Sequence, residues 1–225
     1  MIILELANQS IEQQLALERK LLKEDTRSFC LINRGTLRTI VMGVSGKAEE
    51  LLDLDRVERD GVALLRRFSG GGTVIVDEGT LFISFIMAKE AVDCQLFPEP
   101  IMRWTANLYA NSWKIPGFQL RENDYVIGDR KCGGNAQYIQ KARWLHHTSF
   151  LWDYREENMD YLLLPQKRPN YRADRPHSEF LCRLKEHVPD QEFLIAALKE
   201  ELGRRFSTTS HSVASLYAKC ASPVG

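Results

Sequence analysis

None of the five cysteines (Cys30, Cys94, Cys132, Cys182 and Cys220) stands in a C-x-x-C pair, and their odd number leaves no complete disulfide framework. No clustered zinc site is suggested either, and a reducing cytoplasm is the expected compartment. Apolar runs are short: none approaches the ~18 residues that a membrane helix needs. Met1 leads into an amphipathic segment without a basic n-region, an apolar h-region or a small-residue cleavage site. We therefore expect no leader and no membrane partner. Charge of one sign is lacking too, because 30 Lys and Arg balance 30 Asp and Glu. No global field attracts nucleic acid, so any basic site must be local. Repeats, low-complexity tracts and Pro/Gly-rich linkers are absent, and with 225 residues at 44% apolar content we expect a single domain over residues 1–225.

What is present is a succession of short periodic segments. Ile11, Leu15, Leu17, Leu21 and Leu22 recur at helical spacing behind Ser10, a plausible N-cap, and predict a helix over residues 10–23. Residues 28–32 and 39–44 read as strands around a turn at Asn33-Arg34-Gly35, residues 49–59 as a helix, and 62–67 as a strand. Residues 73–76 and 81–87 are β-branched and aromatic, and Asp77-Glu78-Gly79-Thr80 between them carries a hairpin signal. Helices are expected over 98–113 and 191–205, and strands over 125–127 and 146–152; the last twenty residues carry little signal. The pattern predicts an α/β domain built mainly from antiparallel hairpins.

Three constellations carry chemistry. The first is Arg66-Arg67-Phe68-Ser69-Gly70-Gly71-Gly72-Thr73-Val74-Ile75-Val76-Asp77. Three glycines leave backbone N–H groups unshielded and permit positive φ, so a phosphate or an extended acyl chain can lie against the main chain. A tight turn or bulge is the plainer reading, and the two arginines and the serine favour an anion site over it. The spacing matches neither G-x-x-x-x-G-K-[ST] nor a G-x-G-x-x-G that opens a helix. The second runs from Asn123-Asp124 through Lys131-Cys132-Gly133-Gly134-Asn135-Ala136. A lysine among small residues can reach a pocket floor, whereas most lysines are solvated surface charges. Cys132 is either a thiol nucleophile or a small packed side chain, and with no base beside it the packed reading is favoured. The third is His146-His147-Thr148-Ser149. Adjacent histidines of a strand point to opposite faces and cannot chelate one metal together. One of them enters a site or both are hydrogen-bonded core residues. The G-x-S-x-G elbow of a hydrolase is missing.

Together these segments resemble the catalytic domain of lipoate-protein ligases, within the biotin and lipoate protein ligase superfamily. The family pattern R-R-x-[ST]-G-G-G-x-V-x-x-D is met by Arg66 to Asp77, its N-D pair by Asn123-Asp124, K-x-x-G-[NS]-A by Lys131 to Ala136, and H-H by His146-His147. Order and spacing agree over roughly residues 10 to 205. The resemblance implies an α+β fold of mixed, mainly antiparallel sheets flanked by helices, related to class II aminoacyl-tRNA synthetase catalytic domains. It implies ATP and magnesium, with lipoate or octanoate as the acid that is activated and joined to a lysine. The implied acceptors are apo lipoyl domains of 2-oxoacid dehydrogenase E2 subunits or the glycine cleavage H protein. Lys131 would be the catalytic cation, at the acyl carbonyl and the α-phosphate. Arg67, Ser69, Gly70, Gly71, Gly72, Thr73, Val74, Ile75, Asp77 and His147 would bind acid and nucleotide. Gly134, Asn135 and Ala136 would shape the nucleotide pocket, and Asp124 would sit by the phosphates and magnesium.

The chain departs from the family where Val76 replaces a histidine, where Gly43-Val44-Ser45-Gly46-Lys47 replaces G-R-x-Q-N, and where Thr148 replaces a glycine. Many such ligases also carry a C-terminal accessory domain, so activation is expected either to proceed without it or to use a separate subunit. A thioester-forming transferase is the alternative. Its cysteine lies about a dozen residues before the lysine or after the histidine strand, and this chain has none at Phe118-Gln119-Leu120-Arg121 or Trp152-Asp153-Tyr154. A biotin ligase would carry a G-R-G-R-type loop in place of Ser-Gly-Gly-Gly, and a non-enzymatic lipoyl-binding module would not need the lysine.

Overall fold

The computed structural model describes residues 1–7, 9–164 and 168–211. Cys220 and most of the low-signal C-terminal segment lie outside the described residues. The first strand, β1 (Ile2–Ala7), precedes the expected helix α1 (Ile11–Glu24), whose N-cap Ser10 accepts the Gln13 N–H at 3.2 Å. Then follow β2 (Phe29–Arg34), β3 (Thr39–Met42), two short helices α2 (Ala48–Leu51) and α3 (Leu54–Arg59), β4 (Ala63–Arg66), β5 (Val74–Val76) and β6 (Thr80–Ala88). The second half comprises α4 (Pro98–Trp113), β7 (Phe118–Arg121), β8 (Asp124–Ile127), β9 (Arg130–Ile139), β10 (Arg143–Leu151), α5 (His177–Phe180), α6 (Gln191–Arg205) and β11 (Thr209–His211).

Eight strands form one sheet in the order β11-β1-β2-β6-β10-β9-β8-β7, and three form a second in the order β4-β3-β5. Pairing is antiparallel except for β11–β1, β1–β2 and β3–β4, so the fold is mixed α+β with mainly antiparallel sheets flanked by helices. The expected hairpin between β5 and β6 does not form. Asp77 turns the chain from the small sheet to the large one: its carboxylate accepts from Gly79 N and Asn158 Nδ2, and its carbonyl accepts from Thr36 N. The single helix expected over 49–59 is split in two at Leu52-Asp53, where Asp53 caps the second piece through Arg56 N.

Strand alternation divides the large sheet into two chemically different faces. Leu81, Ile83, Phe85 and Met87 of β6 join Tyr109 and Trp113 of α4 and Leu194 and Leu198 of α6 in the main core. The intervening Ile86 packs under Leu21 and Leu22 of α1, and Phe82 meets Ile11 and Leu15. Ser84 lies between them on this second face and is buried. Its hydroxyl donates to Glu18, and its cross-strand partner is His147.

A glycine in β9 shows how tightly the helix-covered face is filled. A Cβ on Gly133 would lie 2.6 Å from the Phe150 ring, which Tyr109 and Trp113 hold at centroid separations of 5.0 and 4.8 Å. Gly133→Ala should lower stability by about 1–3 kcal/mol through overpacking. Gly70→Ala, where the added atom meets nothing within 4 Å, should stay within ~0.5 kcal/mol of wild type. Urea unfolding midpoints measure both, and equal losses would show that Gly133 is not packed as described.

Candidate active site

The glycine run forms a loop between β4 and β5 that is held by a side chain instead of a ladder. Arg67 is 6% exposed and donates from Nη2 to Gly70 O (2.8 Å) and Gly72 O (2.7 Å), from Nε to Gly70 O (3.2 Å), and from Nη1 to Val41 O (3.2 Å). Burial lowers its pKa to about 10, and the guanidinium remains the brace that gathers these carbonyls. Gly71 adopts φ 98°; a Cβ there would sit 2.8 Å from Arg67 Nη2 and 3.4 Å from Ala136 Cβ, so the loop lies against β9. The amides of Gly70, Gly71 and Gly72 donate no hydrogen bond among the described residues, and all three glycines are exposed. They remain available to an anion.

At the start of this loop Ser69 is pinned to the sheet. Its hydroxyl is 2.9 Å from His147 Nε2, and His147 Nδ1 is 2.9 Å from Glu18 Oε2 on α1. Glu18 is fully buried and also accepts from Ser84 Oγ (2.5 Å) and Gln14 Nε2 (2.9 Å). Burial by itself raises the Glu18 pKa, but the His147 charge and these donors outweigh it and lower it. An ionised Glu18 takes Nδ1–H, and Nε2 shares a hydrogen bond with the Ser69 hydroxyl. His146 points to the opposite face, as strand geometry requires, where Nε2 meets Tyr125 Oη at 2.9 Å and Nδ1 meets Gln137 Nε2 at 3.0 Å. Burial first, and then the neighbouring His147, push its pKa down to about 3.

The other end of the site is an ion pair. Lys131 Nζ is 2.7 Å from Asp124 Oδ1, and Tyr171 donates to Asp124 Oδ2 at 2.9 Å. Simple alternation would put Lys131 with Gly133 on the helix-covered face. The β8–β9 register slips here, pairing Tyr125 with Gly133 but Val126 with Lys131. This bulge at Cys132 turns the lysine back to the face of Gly134, whose absent Cβ would lie 3.2 Å from Nζ. Cys132 is fully buried in the main core and donates to Tyr125 O at 3.4 Å, and burial pushes its thiol well above the ordinary range. It does not face the lysine.

The structure thus brings together Arg67, Ser69, Gly70, Gly71, Gly72, Gly134, Ala136, His147, Asp124 and Lys131. Asn135 donates from Nδ2 to Asn123 O at 2.8 Å, which ties β9 to the Asp124 turn. Ile75 is a core residue of β5, and Val74 is partly buried against the neighbouring cluster. Thr73 follows the glycines with its Oγ1 buried and unpartnered, and Asp77 is the hub of the inter-sheet turn. Glu18, Tyr171 and Arg172 went unread in sequence. Gln14 and Glu18 did carry a signal, for they sit within the buried stripe of α1, where a polar residue requires a partner.

A family model, the lipoyl protein ligase A/B catalytic domain, matches residues 8–207. The chain belongs to that family. Among lipoyl protein ligase relatives, an inactive lipoate–protein ligase 2 of Plasmodium falciparum is 29% identical over 200 residues, covering 73% of this chain and 51% of the relative. Lipoate-protein ligase A of Blochmanniella floridana is 31% identical over 159 residues, covering 68% and 46%. The chain spans about half the length of the curated relatives it matches. Among solved structures, a lipoate-protein ligase A bound with ATP superposes with a TM-score of 0.77 at 19% identity over 97% of this chain and 92% of that one. The bipartite Thermoplasma acidophilum ligase, studied with its E2 lipoyl domain, gives 0.76 at 21% identity over 97% and 90%. At these identities the likeness is one of fold.

Among the described residues of this family member, no group of three His, Cys, Asp or Glu is placed to hold a metal ion. Magnesium carried by a nucleotide needs only one or two protein carboxylates, because phosphates and water complete its octahedron. Asp124 is the carboxylate at this end of the site, and both of its oxygens are engaged, by Lys131 and by Tyr171, so a metal would have to replace one of those contacts.

The buried His146 ties stability to solvent pH. Between pH 6.5 and about 3 the unfolded chain protonates His146 while the folded one does not, so stability falls as acid is added through this window. Above pH 6.5 the group adds no pH dependence. His146→Gln should flatten the decline by several kcal/mol, on the order of the buried-histidine shift. Urea unfolding at stepped pH tests it; parallel wild-type and variant slopes would sink the assignment.

Proposed function

We propose that this chain activates lipoate or octanoate as the acyl adenylate and transfers the acyl group to a lysine of an apo lipoyl domain, as one catalytic domain over residues 1–225. The observation that carries this reading is the Lys131–Asp124 pair at one end of a small-residue floor, with the glycine loop lying across it and no thiol facing it. Lys131 and Ala136, the partner of His147, lie five positions apart on β9, with Gly134 between them leaving the floor open.

In the first half-reaction a carboxylate oxygen attacks the α-phosphorus, and the bond to pyrophosphate breaks. Two anions approach one another, and Lys131, oriented by Asp124, lies where the charge accumulates. One unit charge at ~4 Å in an effective dielectric of ~20 is worth about 4 kcal/mol, close to a thousandfold in rate when felt only in the transition state. Asp124, on exchanging its Lys131 or Tyr171 contact, would hold the magnesium that accompanies the nucleotide, which would supply further charge neutralisation there. The free amides of Gly70 to Gly72 would receive anionic oxygens, and the Ser69–His147–Glu18 chain would hold the loop in register. In the second half-reaction the acceptor amine attacks the mixed anhydride, Lys131 stabilises the oxyanion, and AMP leaves. Gly134 and Ala136 keep the nucleotide floor low.

The second reading is transfer from an acyl-carrier donor without ATP. That route needs an accessible thiolate, and Cys132 is buried with its thiol pushed up. Incubating the chain with ATP, lipoate and an apo lipoyl domain, then weighing the acceptor, should show ATP-dependent addition of one lipoyl group. Lys131→Ala should lower acyl-AMP formation about a thousandfold or more with the fold intact, and single-turnover rates within tenfold of wild type would contradict the assigned role. Cys132→Ser should keep ligation; a covalent acyl adduct on Cys132 formed without ATP would replace this reading with the transferase one.

A further inference from the structure

Arg172 has a guanidinium donor that no other group in the described structure fills. It is 5% exposed, its Nε donates to Arg175 O at 3.2 Å, and its guanidinium carbon lies 4.6 Å from the Phe180 ring centroid. Its Nη2 is buried and has no hydrogen-bond partner. Burying an arginine with an unfilled donor is costly, and a native chain keeps such an arrangement where something else supplies the acceptor. The nearby cations are already matched: Arg175 pairs with Asp129 at 3.0 Å, and Arg168 with Asp174. The nearby carboxylate is taken as well, with Lys131 on one oxygen of Asp124 and Tyr171 on the other.

The unfilled donor belongs to the lysine end of the site. Tyr171, the residue before it, reaches Asp124, while α5 docks on β9 through the Leu181–Lys131 bridge and the Cys182 N–H to Lys131 O bond of 2.9 Å. His177, at the start of α5, is held neutral down to about pH 4 by burial and then by the charges of Arg172 and Lys131. It therefore adds a polar group without adding repulsion. Phe180 fixes the plane of the guanidinium, and a planar fork matches two oxygens of a phosphate.

We propose that Arg172 and Lys131 form a shared anion site for the polyphosphate of the nucleotide, with Lys131 at the phosphate that accepts the acyl group and Arg172 at the pyrophosphate that leaves. The assignment rests on the adenylation reading. When the α-phosphorus bond breaks, the electron pair departs on pyrophosphate, and a preformed guanidinium beside it receives that charge without reorganisation.

Calorimetric titration of the full chain with inorganic pyrophosphate, and in parallel with inorganic phosphate, tests the site. Wild type should bind pyrophosphate more tightly than phosphate. Arg172→Met should weaken pyrophosphate at least tenfold while melting at the wild-type temperature or above, because it removes an unpartnered buried charge, and Arg172→Lys should recover part of the affinity. Absence of pyrophosphate binding by wild type, binding by Arg172→Met within twofold of wild type, or a fall in its melting temperature of more than about 5 °C would each overturn the proposal. Arg172-dependent pyrophosphate binding in a chain that forms no acyl adenylate would keep the anion site and remove the adenylation reading instead.

Discussion

Side-chain alternation in the central strands β6 and β10 is the constraint on which everything else depends. One face must be apolar enough to seat α4 and α6; the other is thereby freed to carry Ser84, His147 and the small residues of β9. Adjacent histidines consequently live in different worlds. His146 is a neutral core residue inside a hydrogen-bonded cluster, and His147 is the middle link between a buried carboxylate and the glycine loop. The same pleat would have wasted Lys131 on the core face, and the bulge at Cys132 corrects its direction. A single extra residue in one strand sends the cation to the site and the thiol to the core.

Loop, relay and ion pair draw on three parts of the chain that are remote in sequence. Glu18 comes from α1, Ser69 from the β4–β5 loop, and His147 and Lys131 from the antiparallel strands of the large sheet. None is held by its own element alone. Arg67 organises the loop by gathering carbonyls, and Glu18 orders the histidine that then holds the serine. The site is preorganised by charged side chains turned inward on backbone and imidazole, leaving the loop amides exposed.

Much of this was legible in the sequence, because periodicity and local chemistry agree there. Ile11, Leu15, Leu21 and Leu22 define α1 and Ser10 its cap; the glycine loop and the Lys131 segment stand out by composition. What stayed hidden depends on long-range pairing. Asp77-Glu78-Gly79-Thr80 has the residues of a hairpin, yet its flanking strands join different sheets, a choice made by Asn158 and Thr36 far along the chain. No strand was read over Ile2, Ile3 and Leu4; they form one because β2 and β11 lie on either side. Glu18 was invisible as a partner of His147 at a separation of 129 residues, and the bulge that aims Lys131 arises from the pairing of two strands.

The close approach of two glycines has a consequence for how such a chain can diverge. A Cβ on Gly43 would lie 2.1 Å from the Gly71 carbonyl oxygen, so the turn after β3 and the glycine loop touch backbone to backbone. Arg66 reinforces the contact by donating to the carbonyls of Gly43, Val44 and Gly46. Neither segment can drift in sequence alone. A side chain gained at position 43 displaces the loop that crosses β9, and a shift of that loop breaks the Val44 N–H to Ser69 O bond of 3.0 Å. The Gly43-Val44-Ser45-Gly46-Lys47 turn and the Ser69 to Gly72 loop are therefore one packing unit, in which a side chain added to the first has to be accommodated by a shift of the second.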